Sequence, residues 1–513
     1  MRIDNTRRNM LKVAAAAVAL PPLTGRAADE RPLRAAITGF NVINTLDPGK
    51  ASLVPEFYVI WACFNGLVKF DPKMEIVPDL AESFRVVDPN TLQFKLRPGV
   101  RFHDQSVLSA DDVKFTLERV IDEKFASPSR SKFTSISNIR IVNPLTIEIS
   151  TKQAFAPLLT YLTNTRTGAQ IVSRKAAEAA GADFGRQPVG TGAYGVRNWK
   201  SNESVELGAH RDYFVKGQPG FERIAMPLIA EESSGSTAIL GGQVDITSTA
   251  PFADIPTLEK SQKLKVFRQV GLNCRYVSMN LRRPPFDDAY FRRALSMAFD
   301  RNILVRSVLF GEGAPAGGLV PPGLTWAYDR AIPELATFNP ARAQAELAKS
   351  KYRTGAKAVV LAWGSTWWKR FAELFVAQVN QTLGTALTVE VSDSNAVYSR
   401  LKAFDYDATV WGWLGLTDPD EYLGEILGTG AWRNFQGYSK PQFDALMAKG
   451  RLELDIKARG QIYRDADRMM LEDMPVIPCF VSNIHNLAVR NLDGFTQLPY
   501  SNFGDQFANL AFA

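Results

Sequence analysis

The side chains best suited to chemistry are few in this chain and lie far apart. Its three histidines, His103, His210 and His485, are too widely separated to suggest a metal site built from neighbouring ligands. His103 and Asp104 could form an acid–base pair, but they follow a strand and a turn, where a structural hydrogen bond is the simpler interpretation. The sequence has no Walker A loop, no GxSxG elbow and no HExxH segment. We therefore predict no catalytic residue, no metal and no cofactor.

One glycine-rich segment formally matches a nucleotide-binding pattern. Residues 190–195 read Gly-Thr-Gly-Ala-Tyr-Gly, which fits GxGxxG. A dinucleotide site needs a strand before these glycines and a helix after them, because the helix amides bind the pyrophosphate. Here Pro188 comes just before, and the residues after Tyr194 alternate like strands. We expect the glycines to form a tight turn between domains.

The tryptophans give a stronger indication of a binding site. Six of the nine lie between Trp363 and Trp432. Residues 357–363 and 407–413 read as buried strands that end in loops, and ligands of open α/β sheets bind beyond such strand ends. The alternative is that large aromatic side chains fill the core. We predict that at least two of four tryptophans line a cleft: Trp363, Trp367, Trp411 and Trp413.

Two further segments suggest contacts from the other side of such a cleft. Residues 33–37 read as a strand, and the loop that follows carries Asn44 and Thr45, which could bind a polar group of a ligand or only satisfy the turn. Arg275 and Tyr276 follow an extended run and predict a crossing between lobes, with Tyr276 as a candidate contact. A merely solvated charge is the alternative for Arg275.

The elements around residues 67–121 are the easiest to read. Leu92, Phe94 and Leu96 alternate with polar residues, as in a half-buried strand, and Pro98-Gly99 suits a type II turn. Ser109 with Asp112 three residues later predicts a capping box at the start of a helix. The apolar face of that helix comprises Val113, Leu117, Val120 and Ile121.

This block resembles family five of the extracellular solute-binding proteins, the peptide, nickel and opine receptors of ABC importers. Members carry a similar block, although Gln105 stands here where glycine is usual. Residues 188–194 resemble another family segment, with Ala193 in place of its second proline. Further similar segments lie in order along nearly the whole mature chain, at residues 279–301, 434–446 and 463–478.

The resemblance implies an α/β fold, the two-lobe periplasmic-binding-protein fold of class II type with an inserted accessory α+β domain. A mature chain of 486 residues is also too long for one core. The implied arrangement is lobe I at 28–72, 189–276 and 484–513, the accessory domain at 73–188, and lobe II at 277–483.

The implied function is capture of a peptide or peptide-like solute and its delivery to an inner-membrane ABC permease, by a monomer without enzymatic activity. An opine, an oligosaccharide or a nickel chelate is an alternative ligand. A secreted hydrolase or a chaperone-like binding module on the same fold is an alternative of another class. Residues 1–27 account for +4 of the net charge of +7, so the rest carries only +3 and no basic tract, which does not indicate nucleic-acid binding.

The resemblance also bears on ligand chemistry. Peptide-binding members carry an aspartate just past the Gly-Trp segment, where it pairs with the α-amino group of the ligand. Here Leu416 stands near that position, and Asp418 belongs to the following Asp-Pro. We therefore expect poor binding of free-amino peptides unless Asp418 turns inward, because a buried ammonium needs a counter-charge. Arg370 or Lys369 could still bind a carboxylate of the ligand, and an arginine can do so through a two-pronged hydrogen bond.

The N-terminus predicts export to the periplasm. Arg7-Arg8 precedes an apolar run at residues 13–23, and Gly25-Arg26-Ala27 supplies small residues for cleavage. The run is too short to span a bilayer. The paired arginines favour a twin-arginine signal over an ordinary secretory one. Cys63 and Cys274 could form a disulfide in that compartment, or remain buried thiols.

We predict that the exported protein begins at Ala28, which intact-mass measurement of periplasmic material would show. Replacing Arg7 and Arg8 together by lysine should block export if the twin-arginine route is obligatory. Undiminished export would assign the general secretory route, and a mature chain that retains residues 1–27 would contradict cleavage.

Overall fold

The structure is a computed structural model that describes residues 31–331, 334–352, 355–364, 366–414 and 417–513. The predicted signal segment, 1–27, lies outside these ranges. Within them, no helix combines the length and the apolar composition that crossing a membrane requires.

Strands and helices alternate through most of the chain. The strands are β1 Leu33–Thr38, β2 Val68–Phe70, β3 Ile76–Pro78, β4 Ala81–Asp88, β5 Thr91–Leu96, β6 Ile136–Asn143, β7 Thr146–Thr151, β8 Tyr194–Lys200, β9 Ser204–Ala209, β10 Arg223–Ile229, β11 Ile246–Thr247, β12 Leu264–Val270, β13 Asn273–Met279, β14 Gly313–Pro315, β15 Lys357–Trp363, β16 Ala386–Ser392, β17 Ala408–Leu414, β18 Val476–Val489, β19 Leu492–Asp493 and β20 Ala511–Phe512. The helices are α1 Val54–Cys63, α2 Ala110–Ile121, α3 Pro157–Tyr161, α4 Arg174–Ala180, α5 Glu232–Leu240, α6 Ile255–Leu258, α7 Ala289–Met297, α8 Arg301–Val308, α9 Pro340–Lys349, α10 Thr366–Leu383, α11 Ser394–Lys402, α12 Pro419–Leu427, α13 Pro441–Leu452 and α14 Ile456–Asp473.

The main sheet runs through both lobes. Its strand order is β16-β15-β17-β13-β18-β11-β1-β10-β9-β8, and β12 and β14 also pair with β18. In lobe I, β1 is parallel to β10 and β11, and in lobe II, β15 is parallel to β16 and β17. Helices connect these parallel strands, as βαβ geometry requires. The predicted α/β class and two-lobe fold are confirmed.

The 14-residue strand β18 joins the lobes. Its first half pairs with β13 and β14, and its second half pairs with β12 and β11. The chain also crosses between lobes at 271–272, between β12 and β13. Residues 273–276 pair with β17. The lobe boundary after residue 276 stays a prediction.

Asn273 links these two crossings by hydrogen bonds. Its side-chain amide donates to the Ser482 carbonyl at 2.8 Å, and its oxygen accepts from the Ser482 backbone N–H at 2.9 Å. Gly271 lies so close that an added Cβ would stand 2.8 Å from the same Ser482 carbonyl. The hinge is therefore closely packed and leaves no room for a side chain at Gly271.

The accessory domain has a sheet and a core of its own. Strands β4-β5-β7-β6 form an antiparallel sheet. The predicted capping box of Ser109 and Asp112 is present at the start of α2, and Gly99 has the positive φ, 73°, that the predicted turn requires. The helix face packs against this sheet through wholly buried residues Val113, Leu117 and Val120.

The GxGxxG segment is followed by strands β8 and β9, so it lacks the helix that a dinucleotide site needs. Its glycines are required by close packing: a Cβ at Gly190 would lie 2.1 Å from the Cys63 carbonyl oxygen. The Gly190 carbonyl accepts a hydrogen bond of 2.9 Å from the His103 backbone, which ties the accessory domain to lobe I.

The three cysteines, Cys63, Cys274 and Cys479, are buried free thiols. Burial raises the pKa of Cys479 to about 12 and holds the other two still higher. The pairing of Cys63 with Cys274, which the sequence left open, is therefore absent.

We predict that Asn273→Ala lowers the free energy of unfolding by about 1–3 kcal/mol, because it leaves buried backbone groups of Ser482 without partners. Urea unfolding of the ligand-free protein measures this loss. Asn138→Ala, on the exposed outer strand β6, is the matched control and should change stability by less than about 0.5 kcal/mol. Equal losses in the two variants would contradict this role of Asn273.

Candidate ligand-binding cleft

A cavity of about 750 Å³ lies where the sheets of the two lobes meet. Lobe I contributes the loops after β1 and β11 and one face of α1. Lobe II contributes the start of β13, the end of α8 and the start of α10. Such a position beyond strand ends is where α/β sheets bind ligands, and the volume is that of a small-molecule site.

A larger depression of about 1290 Å³ lies between the accessory domain and lobe I. Several of its polar groups are already partnered. His103 bonds the Gly192 carbonyl at 3.0 Å, and Arg186 stacks 3.9 Å from the Trp199 ring. Burial lowers the pKa of His103 to about 4, so this imidazole is neutral at physiological pH. We place the site in the smaller cleft because it lies between the lobes, beyond the ends of their strands.

Aromatic side chains give the cleft rigid walls, which orient a ligand at low entropic cost. Tyr58 and Trp61 project from α1, and Trp61 lies edge to face with Tyr500 at 6.1 Å. The Tyr58 hydroxyl is 2.8 Å from the Ser501 hydroxyl, and burial raises its pKa to about 12. The aromatic lining consists of Phe40, Tyr58, Trp61, Phe252, Phe310, Trp367 and Tyr500.

Arg275 is the most deeply buried charge of the cleft, with 6% of its surface exposed. One terminal nitrogen donates to the Trp413 carbonyl at 2.9 Å, and the guanidinium lies 5.6 Å from the Trp367 ring. Its Nε has no hydrogen-bond partner, and no carboxylate in the described ranges forms an ion pair with it. Burial lowers its pKa to about 10, so it is charged at neutral pH.

Arg166 reaches the cleft from the accessory domain. A terminal nitrogen donates to the Ser52 carbonyl at 2.9 Å, while its buried Nε has no partner. Burial lowers the pKa of this guanidinium. The indole nitrogen of Trp61 is likewise buried and unpartnered among the described residues. These two nitrogen atoms and the Nε of Arg275 are enclosed by the protein, as are those of Arg119, Arg433, Trp363 and Trp413 elsewhere in the described chain.

Glu232, at the start of α5, is the half-buried acid of the cleft. Its carboxylate accepts a long hydrogen bond, 3.4 Å, from the Thr249 hydroxyl. Burial raises its pKa above the usual range for a carboxyl group. No cationic side chain of the described chain pairs with it, so its charge is available to a ligand.

The floor of the cleft, beside the hinge, is formed by polar side chains that already hydrogen-bond to one another. The His485 ring lies 2.8 Å from a Glu312 oxygen, and Glu312 also accepts from Arg268 at 2.7 Å. His485 and Arg268 belong to lobe I strands, whereas Glu312 lies just before β14 of lobe II. These charges satisfy one another and give a ligand little to bind.

The accessory domain also contacts lobe II directly. Lys132 forms an ion pair with Glu421 on α12 and lies 3.8 Å from Glu425. The Ala156 backbone N–H donates to the Arg451 carbonyl at 2.8 Å. Because both contacts bridge the two sides of the cleft, the lobes are drawn together in this structure.

The sequence pattern of the bacterial extracellular solute-binding proteins, family 5 (middle region), matches residues 75–434. The chain belongs to this family. It is similar to the glutathione-binding protein GsiB of Escherichia coli (strain K12), with 27% identity over 485 residues, which cover 91% of this chain and 92% of that protein.

Solved structures share the fold of this solute-binding protein. The periplasmic binding protein DppA of Helicobacter pylori, in complex with the peptide STSA, has a TM-score of 0.81 at 22% identity and covers 94% of this chain and 98% of its own. The binding protein AgaA of A. tumefaciens R10, in complex with agropinic acid, has a TM-score of 0.80 at 24% identity, with 94% and 99% covered.

Two of the nine residues predicted for the site, Trp367 and Arg370, line the cleft of this solute-binding protein. Arg370 is exposed and lies 5.8 Å from the Phe310 ring. Tyr276 points into the core and is 2% exposed. The loop that carries Asn44 and Thr45 lines the cleft only through Gly39 and Phe40. The Thr45 hydroxyl instead accepts from the Asp47 backbone, which is the turn interpretation of that residue.

The other tryptophans form an aromatic cluster behind the cleft wall. Trp363 and Trp411 meet edge to face at 4.9 Å, and Trp411 is 6% exposed. Trp413 is covered by Arg433, whose guanidinium lies 3.4 Å from its ring. Only Trp367 of the four lines the cavity, because β15 and β17 direct the other three rings toward α10, α11 and the loop after α12. A ligand contact by those three stays a prediction.

Asp418 is occupied elsewhere. It is fully buried, caps α12 and forms a two-pronged ion pair with Arg459, with both bonds at 2.8 Å. It cannot turn toward the cleft without leaving Arg459 uncompensated. Leu416, near the expected position of the amino-group anchor, lies outside the described residues.

Sequence reasoning missed Arg166 and Glu232, and it noted Arg275 only as a marker of the crossing. No periodic pattern or motif distinguishes these residues from solvated charges. Arg275 carried one usable signal, a charge next to apolar residues in a strand that should be buried.

We predict opposite effects for two tryptophan variants. Trp367→Ala should weaken ligand binding about tenfold with little loss of stability, because stacking contributes roughly 1 kcal/mol beyond burial. Trp411→Ala should lower the free energy of unfolding by about 3–5 kcal/mol, as truncation of core tryptophans does. Calorimetric titration and urea unfolding of both variants measure these effects. A Trp411 variant that binds weakly while remaining stable would restore that residue to the site.

Proposed function

We propose that this protein is the periplasmic receptor of an ABC importer and captures a small, peptide-like solute between its lobes. The observation that carries the proposal is the interlobe cleft, which is lined by aromatic side chains and by Arg275 and Glu232, neither of which has an ion-pair partner among the described residues. A concave, mostly apolar cavity with a few polar groups is typical of a small-molecule site. Family membership supports the same conclusion.

Capture requires the lobes to close about the two crossings, which act as a hinge. In this proposal lobe I comprises about 28–72, 189–270 and 483–513, the accessory domain comprises 73–188, and lobe II lies between the last two segments of lobe I. A ligand closes the lobes only if it binds the closed form better than the open one. Arg275 belongs to lobe II, whereas Arg166 and Glu232 lie on the opposite wall. A solute that contacts both walls therefore meets this condition, and the Lys132–Glu421 ion pair adds a contact between the accessory domain and lobe II.

The ligand is peptide-like in this proposal because the relatives bind such compounds. GsiB is named for glutathione, DppA was solved with a tetrapeptide and AgaA with agropinic acid. Glutathione and the peptide both combine an ammonium group and at least one carboxylate with a flexible amide chain. An oligosaccharide would use the aromatic walls but leave the arginines without counter-charges. A metal chelate would bind through its organic part, since the described residues contain no cluster of metal ligands.

The remaining parts of the proposal concern location and partners. Cleavage near Ala27 would release the mature chain into the periplasm, where a membrane permease with separate ATPase subunits takes the solute. The protein acts as a monomer without chemistry of its own. His103 and Asp104 support this, since His103 bonds a backbone carbonyl and Asp104 accepts from Ser106.

The test is calorimetric titration of the mature, ligand-stripped protein with glutathione, di- and tripeptides, an opine and a short oligosaccharide. We expect saturable one-to-one binding of at least one peptide-like compound, which mass spectrometry recovers unchanged after long incubation. Cleavage of the compound would indicate the hydrolase alternative. Suppressed aggregation of an unfolded client without saturable binding would indicate the chaperone-like alternative.

A further inference from the structure

The charges that line the cleft do not balance. Three arginines face it, Arg166, Arg275 and Arg370, against two glutamates, Glu231 and Glu232. His485 also lines it but is already bonded to Glu312 and neutral, because burial lowers its pKa. The lining therefore carries a net charge of +1. A ligand that complements it carries −1.

The positions of these charges restrict the class of ligand further than the net charge does. Arg275 is buried, Arg166 is partly buried, and no carboxylate within the described ranges forms an ion pair with either. A carboxylate is the acceptor that matches the planar donors of a guanidinium. Two guanidinium groups in the lining of one cleft suit a ligand with two carboxylates.

The acidic side of the cleft is equally specific. Glu232 is half-buried and has only the weak 3.4 Å contact with Thr249. Because burial without a cation is unfavourable, an ammonium group of the ligand would stabilise its charged form. Asp418 cannot serve in its place, since Arg459 already holds both oxygens. Arg370 and Glu231, both exposed, are screened by solvent and contribute less.

We propose that the cleft is specific for a zwitterionic solute with two carboxylates and one ammonium group. Arg275 binds one carboxylate, Arg166 binds the other, and Glu232 binds the ammonium. This inference rests on the proposed function and narrows its ligand class to compounds such as γ-glutamyl peptides, acidic short peptides and amino-acid conjugates with an added carboxylate. It also revises the expectation that free-amino peptides bind poorly, because Glu232 supplies the missing anchor.

Simpler ligands leave part of this arrangement unpaired. A neutral sugar supplies no counter-charge to either buried arginine. An ordinary neutral peptide offers one carboxylate and one ammonium, so one guanidinium would close into the cleft without a partner. A dicarboxylate without an amine would place its charge near an unpaired Glu232. Each loss lowers the preference for the closed form, which is the quantity that drives capture.

The first test uses ligands that differ only in charge. Glutathione, with two carboxylates and one ammonium, is titrated against its glycyl monoethyl ester and its N-acetyl derivative. We expect each change to weaken binding about tenfold or more, because each removes a charge-assisted hydrogen bond. S-methylglutathione is the matched control: it adds a methyl group without changing charge, and its affinity should stay within about threefold.

The second test uses variants of the cleft. Arg275→Gln and Arg166→Gln should each reduce the affinity for glutathione, and one of them should abolish the preference for the acid over the ester. Arg275→Lys keeps the charge and should retain part of that preference. Arg85→Gln, on an exposed strand of the accessory domain, is the control and should change nothing. A general folding defect would weaken acid and ester equally, so the ratio of the two affinities isolates the charge contact.

Native mass spectrometry of protein purified from the periplasm completes the design, because it identifies any solute that the cleft retains. A retained solute with two carboxylates and an amine supports the inference. Equal binding of glutathione and its ester, or a retained solute with at most one carboxylate, would overturn the inference while leaving the receptor function intact. If no solute is retained and no compound in the panel binds saturably, both the inference and the proposed receptor function are overturned.

Discussion

The pairing of β18 with both lobes is the constraint on which the rest of the structure depends. Its first half completes the sheet of lobe II and its second half completes that of lobe I, so the two lobes share one register. A slip of one residue would turn the side chains of both sheets to the wrong face. The cleft lies at the midpoint of this strand, beside Ser482 and Asn483. The hinge and the binding site therefore use the same backbone.

Several buried charges of the protein are held in ion pairs outside the cleft. Arg459 holds Asp418, Arg119 holds Asp47, and Lys132 holds Glu421 across the lobes. Other buried charges, such as Arg292 and Arg301, are satisfied by backbone carbonyls. Arg275 and Glu232 are distinguished from all of these by their position, because both line the cavity between the lobes. The position of the cavity and the charges in its lining together indicate the site.

The sequence was sufficient for elements whose signal is local. The strand at 357–363, the capping box at Ser109 and the turn at Gly99 are confirmed because each depends on neighbours a few residues away. The composition of the site depends on the directions in which side chains point, and no local sequence pattern encodes those directions. Strand ends directed attention to the edge of the sheet where the cavity lies, yet Trp363 and Trp411 point toward helices and, of the four tryptophans, only Trp367 lines the cavity. Arg166 reaches the cleft from an inserted domain, so its role follows from topology alone.

The three buried thiols have a practical consequence for measuring this motion. Because Cys63, Cys274 and Cys479 are all buried with elevated pKa values, thiol-reactive dyes should leave the native protein unlabelled. A single cysteine introduced at the rim of the cleft would then be the unique attachment point for a fluorophore. The chain could serve, without removal of any native cysteine, as a reagentless optical sensor for its own solute.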